Sequence, residues 1–122
     1  MPGYVEELNI KSDLPTAGEA LRRVARIIQN GNAGNRGAVK IIHGYGSTGK
    51  GGKIRAEVRR YLAGQKLKGL IKDFIPGEEF SIFGKATRDA FELCGELRGD
   101  RDLERCNNGI TIIVFGRKGP AG

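Results

Sequence analysis

The apolar positions along the chain change their spacing several times, and each change marks an element. Val5, Leu8 and Ile10 in the stretch 4–10 predict a short first strand, closed by the turn at Pro15. Thr16 followed by Glu19 has the form of a capping box. Ala20, Leu21, Val24, Ala25, Ile27 and Ile28 then recur at helical spacing, with Arg22, Arg23 and Arg26 turned outward. The breaker-rich run 31–37 ends that helix. Residues 38–42 are apolar apart from Lys40, the pattern of a central strand covered by helices. Ile54, Val58, Tyr61 and Leu62 fall at i, i+4, i+7 and i+8, an amphipathic second helix. The segment 69–83 predicts one or two short strands, built on Leu70, Ile71, Phe74 and Ile75 and then Phe80 and Ile82, broken at Pro76-Gly77. Residues 86–97 read as a third helix with Phe91 and Leu97 inward, 100–108 as a polar connection, and 109–115 as a strongly β-branched last strand.

Strands alternating with helices predict an α/β two-layer sandwich, a mixed sheet of four to five strands with helices on one face. Right-handed crossovers put the first two helices on the same side. A length of 122 residues suits one domain, taken as 1–116 with a flexible tail at 117–122. The longest apolar run is far short of the ~20 residues that cross a bilayer, so no membrane partner is expected. No signal-peptide pattern opens the chain, and Cys94 and Cys106 are the only cysteines, so a reducing, cytoplasmic setting is expected. Cys94 reads as a small core residue and Cys106 as a loop thiol. With the single histidine, His43, they lack zinc-ligand spacing, and no metal site is assigned.

Charge and glycine sharpen this outline. The net charge is +7, and the segment 50–72 carries all of it, eight cations against the single acid Glu57. Eight of the 20 glycines lie between Gly31 and Gly52, a run that ends as that segment begins. A localised cationic excess points to a polyanionic partner, whereas a solvated basic face is the plainer reading. The stretch from Ile41 through His43, Gly44, Tyr45, Gly46, Ser47, Thr48 and Lys50 to Lys53 and Arg55 is a strand, a loop of small residues and a helix start flanked by cations. Glycines let backbone N–H groups approach an anion, and a helix amino end adds free donors and a positive dipole. The segment Gly44 to Gly51 is one residue from a nucleotide phosphate-binding loop, lacking the hydroxyl residue after Lys50 that would hold magnesium.

The same stretch resembles another family. Ile41-Ile42-His43-Gly44-Tyr45-Gly46, then Lys53-Ile54-Arg55 and the helix ending Arg59-Arg60-Tyr61-Leu62, are similar to the small MutS-related (Smr) domain. Residues 16–21 resemble the opening of that family's first helix and residues 108–113 its last strand, so the likeness spans roughly 5–116. It implies a sandwich like the carboxyl-terminal domain of translation initiation factor three, and binding of DNA or RNA, with nicking or RNA cleavage in several members. The chain departs from the family's Leu-Asp-x-His motif, which reads Leu8-Asn9-Ile10-Lys11 here, and residues 86–108 form an insertion.

With one imidazole, a two-histidine acid–base pair within the chain is excluded. His43 is the candidate catalytic group, with Lys11 or Asp13 as partner if the first strand lies beside the second. The alternative is that His43 orders the loop or contacts phosphate. Candidate nucleic-acid contacts are Gly44, Tyr45, Gly46, Ser47, Thr48, Lys50, Lys53, Arg55, Arg59 and Lys66, with Tyr45 read either as a base-stacking ring or as loop packing. Arg55 and Arg59 share a helix face on which they could follow successive phosphates. The pairs Glu78-Glu79 and Asp100/Asp102 read as solvated turns. No cofactor is evident, and a divalent ion enters only if the chain cuts nucleic acid. The ribosome or another protein is the alternative partner, and the oligomeric state is open.

Overall fold

A computed structural model describes residues 4–11, 16–31, 36–44 and 50–116. The elements are β1 (Tyr4–Asn9), α1 (Ala17–Asn30), β2 (Arg36–Ile42), α2 (Lys50–Leu67), β3 (Asp73–Pro76), α3 (Lys85–Leu93) and β4 (Ile110–Val114). Short 3₁₀ turns follow β3 (Gly77–Glu79) and α3 (Gly95–Gly99). The capping box forms as the Thr16–Glu19 spacing predicts, the Thr16 hydroxyl oxygen accepting the Glu19 N–H at 3.1 Å. Gly31 stops α1 at a φ of 59°, its N–H donating to the Ile28 carbonyl.

The four strands form one mixed sheet in the order β1-β2-β4-β3. β1 and β2 are parallel with α1 crossing between them, and β4 lies antiparallel to both β2 and β3. Ile42 stands opposite Ile110, and Pro76 opposite Thr111. The carboxyl ends of β1, β2 and β3 therefore meet the start of β4 at one end of the sheet, hereafter the loop end.

Side chains alternate between the two faces. Val39, Ile41, Ile113 and Phe115 join Ala20, Val24, Ile27 and Ile28 of α1 and Ile54, Val58 and Leu62 of α2 in one core. The first two helices thus share a face, compatible with the expected sandwich. The opposite face is covered as well, which amends the expectation of helices on one face only. There Ala38, Ile75, Ile112 and Val114 pack under Phe80, Ala90, Cys94 and Leu97. All five residues of β4 are buried, so a bare second face would expose a row of branched apolar side chains to water. The cover is built differently from its reading in the sequence. Phe80 and Ile82 follow a 3₁₀ turn instead of forming a strand, and α3 stops at Leu93, leaving Leu97 to the next turn.

Lys40, the polar exception of the central strand, faces this second side and is 1% exposed. Its ammonium group reaches Asp102 at 2.7 Å and Asp100 at 2.9 Å, with Glu7 at 3.6 Å. Asp100 and Asp102 are therefore counter-charges to a buried lysine, not a solvated turn, because an unpaired ammonium group at this depth would be prohibitively costly. Burial pulls the amine toward neutrality, but the two aspartate hydrogen bonds outweigh it and hold Lys40 above the usual lysine value. Burial likewise opposes ionisation of Asp102, and its bonds from Lys40 and Asn107 keep it below the usual carboxylate range.

Lys40→Met is expected to cost on the order of 3 kcal/mol in urea denaturation at neutral pH, by leaving two partly buried carboxylates without a cation. Adding Asp100→Asn and Asp102→Asn to it should restore most of the loss. In the parent chain the Asp102 contribution is present above the ordinary aspartate pKa and lost as pH falls through the depressed folded value. In Lys40→Met that acid limb should reverse, because two adjacent, partly buried carboxylates without a cation fold more readily when protonated.

Candidate nucleic-acid interface

The loop end is assembled around Gly44, which leaves β2 at a φ of 83°, a conformation that glycine adopts without strain. The N–H groups of His43 and Gly44 both donate to the Gly109 carbonyl, at 3.0 and 2.9 Å. The first glycine of the loop therefore anchors it to the start of β4, and its amide is not a free donor for an anion. The Gly109 N–H is held in turn by the Asn107 side chain at 2.9 Å.

His43 is 2% exposed. Its Nδ1 lies 3.0 Å from the Gly44 carbonyl and its Nε2 2.8 Å from the Thr111 hydroxyl. A carbonyl can only accept, so Nδ1 carries the proton and Nε2 accepts from Thr111. The Thr111 oxygen accepts the Arg59 Nε–H at 3.0 Å. A directed chain results, from Arg59 through Thr111 to His43 and on to the Gly44 carbonyl. Burial, and next the nearby Arg59 and Arg55 charges, lower the His43 pKa to about 4 against the support of the Gly44 bond, so the ring is neutral at pH 7.

The rest of the Arg59 guanidinium is also engaged. Nη1 and Nη2 bind the two Glu78 oxygens at 2.8 and 2.9 Å, and Nη2 donates to the Ile110 carbonyl at 3.1 Å. Burial alone would raise the Glu78 carboxyl, but the Arg59 bonds and charge outweigh it and hold it below its usual value. Arg59 is thus a clamp between α2, β4 and the turn after β3. It does not lie in an outward stripe with Arg55 as the helical spacing suggests.

Other expected residues separate into three groups. Lys11 is brought to the loop, since β1 lies beside β2. Its side chain packs where a Cβ on Gly44 would meet it at 3.4 Å. Exposed Lys53 and half-buried Arg55 sit on the first turns of α2, directly after the loop. Lys66 is far down α2, about 20 Å from Lys53 by helical rise, and pairs with Asp73 at 3.0 Å. Asp73 stands opposite Val114, at the far end of the sheet, so neither joins the loop end. Asp13, Tyr45, Gly46, Ser47 and Thr48 lie outside the described residues, as does the Lys50 side chain.

The sequence reading missed Thr111 and Glu78. Thr111 looks like one more β-branched strand residue, yet a hydroxyl at 0% exposure requires partners, and that was its only signal. Glu78 had none, because its partner is 19 positions away on another element. Among the described residues no group of three or more His, Cys, Asp or Glu side chains is placed to hold a metal ion. No helix there is long and apolar enough to cross a membrane.

In the NMR spectrum the single imidazole is expected to titrate near pH 4 and show no step at 6.5. Arg59→Gln should move that step upward by removing the nearest positive charge. Because the folded pKa lies below the unfolded one, the His43 contribution to stability is full above pH 6.5 and declines as pH falls toward 4.

A model of the Smr domain family matches residues 14–79, just over half of the chain. No curated protein and no solved structure gives a match.

Proposed function

The chain belongs to the Smr domain family, and from that premise we propose that it is a nucleic-acid-binding domain that grips DNA or RNA at the loop end of its sheet. The observation that carries this reading is the convergence of cations from two elements on one loop. Lys11 after β1 packs against Gly44, the Arg55 charge is close enough to lower the pKa of His43, and exposed Lys53 precedes Arg55 on the same first turns of α2. A phosphate at the loop meets these charges together with the amino end of α2, where the helix dipole is positive. Arg59 serves the interface indirectly, by fixing the strand and turn from which the loop springs.

The family match spans the whole Gly44–Gly51 stretch, which favours reading this loop as an Smr loop over a variant nucleotide phosphate loop. The likeness to the carboxyl-terminal domain of translation initiation factor three belongs to this same proposal and rests on the resemblance. A cytoplasmic setting is proposed from the cysteine usage and the lack of a signal-peptide pattern, and the ribosome or another protein is the alternative partner. Binding is the core of the proposal and strand cleavage is not part of it. The one imidazole is neutral, buried and hydrogen-bonded at both nitrogens, and Asn9 and Lys11 stand at the positions resembling the family's acid and histidine.

The double variant Lys53→Ala, Arg55→Ala should bind labelled single- and double-stranded probes more weakly. Loss of two phosphate contacts should flatten the slope of log affinity against log salt by about 1.4 to 1.8. Unchanged affinity on every probe would sink the proposal. The binding-only reading predicts intact probes after incubation with magnesium or manganese. Nicking that His43→Ala abolishes, with the fold preserved, would replace it with an endonuclease.

A further inference from the structure

The segment after β3 carries a feature that the loop-end chemistry does not use. Phe83 is 84% exposed and Ile82 beside it 48%. Single exposed apolar residues are common, but this ring sits on a turn that is tied down from several sides. The Glu104 carboxylate accepts the Ser81 hydroxyl at 2.9 Å and the Ile82 N–H at 2.6 Å. The Ser81 oxygen accepts the Phe83 N–H at 3.2 Å, and the Gly84 N–H closes the turn on the Ser81 carbonyl at 2.9 Å. Arg88 donates to the Ile82 carbonyl at 2.9 Å, which brings a guanidinium charge up to the turn. Held this way, the backbone beneath Phe83 loses little entropy when the ring meets a partner.

The position of the turn narrows what that partner is. Pro76 pairs with Thr111, the residue that contacts His43, so the chain leaves β3 at the loop end. Glu78, one turn further on, is clamped by Arg59. α3 then runs toward the other end of the sheet, where Glu96 accepts the N–H of Val5 near the start of β1. Residues 81–84 therefore stand on the loop-end side of the second face. They share the loop end of the sheet with the proposed interface, on the face opposite α2, and lie beyond the stretch matched by the family model.

We propose that Phe83 is a stacking platform for an unpaired base of the same nucleic acid that the loop and α2 hold by its phosphates, which makes the preferred ligand one with a single-stranded segment. This rests on the interface reading above and adds to it. An aromatic face accepts any base, and a neighbouring guanidinium suits the adjoining phosphate. A blunt duplex offers no such base along its length.

The experiment compares the parent chain, Phe83→Ala, Phe83→Trp and the Lys53→Ala, Arg55→Ala variant. The probes are a single strand, a duplex with a single-stranded overhang and a blunt duplex, each as RNA and DNA. Phe83→Ala should weaken single-strand and overhang binding about fivefold or more and leave the blunt duplex and the melting temperature unchanged. Phe83→Trp should restore affinity, with indole fluorescence quenched by the single strand. Two results would overturn the stacking role while sparing the interface: equal binding of every probe by Phe83→Ala beside a loss in the loop variant, or an equal loss on all probes. The first of these with loss of a protein partner assigns the ring to that protein. If the parent chain binds no probe, the interface reading fails first and the stacking role with it.

Discussion

The loop end depends on the Arg59 guanidinium, which joins three parts of the chain that are distant in sequence. From α2 it reaches Thr111 and the Ile110 carbonyl at the start of β4, and it binds both Glu78 oxygens on the turn after β3. Charge-assisted, two-point bonds of this kind are short, directional and stronger than neutral ones. The same contact sets the direction of the hydrogen bonds beyond it. With Arg59 donating to its oxygen, the Thr111 hydroxyl is free to point its proton at His43, and His43 is then fixed as the tautomer that donates to Gly44. One side chain on a helix thereby controls where the glycine loop leaves the sheet.

The second face obeys a different constraint. β2 is buried on both sides, so Lys40 at its centre had to be matched by charges from whatever covers it. The segment 86–108 supplies both needs, apolar cover through Ala90, Cys94 and Leu97 and counter-charge through Asp100 and Asp102. What resembles an insertion beside the family pattern is thus part of the core. Stability is concentrated in the sheet and its two covers, and the cations of the loop end stand at the border of that frame.

Much of this was legible along the chain because the signals are local. Thr16 with Glu19, the spacing of Ile54, Val58 and Leu62, and the branched run before Phe115 each depend on neighbours within a few residues. Helix periodicity and capping act at that range. The candidate site is proposed from sequence for the same reason, since Gly44, Lys53 and Arg55 are close along the chain and share a strand–loop–helix unit. Lys11 depended on β1 lying beside β2, a guess the parallel crossover makes natural. The individual duties of charged residues were not legible. Arg59 and Arg55 look alike on a helix projection, and only its surroundings make Arg59 a clamp.

By itself, then, the sequence determined the α/β order of elements, the side shared by α1 and α2, and the family. All of these follow from short-range pattern and from hydrophobic periodicity, which needs no knowledge of partners. The tertiary structure alone decided that the second face is covered, that Asp100 and Asp102 neutralise Lys40, that Glu78 and Thr111 hold Arg59, and that His43 is neutral. Those outcomes come from contacts between positions 19 to 68 residues apart. A buried charge or imidazole takes its state from whichever group the fold sets against it.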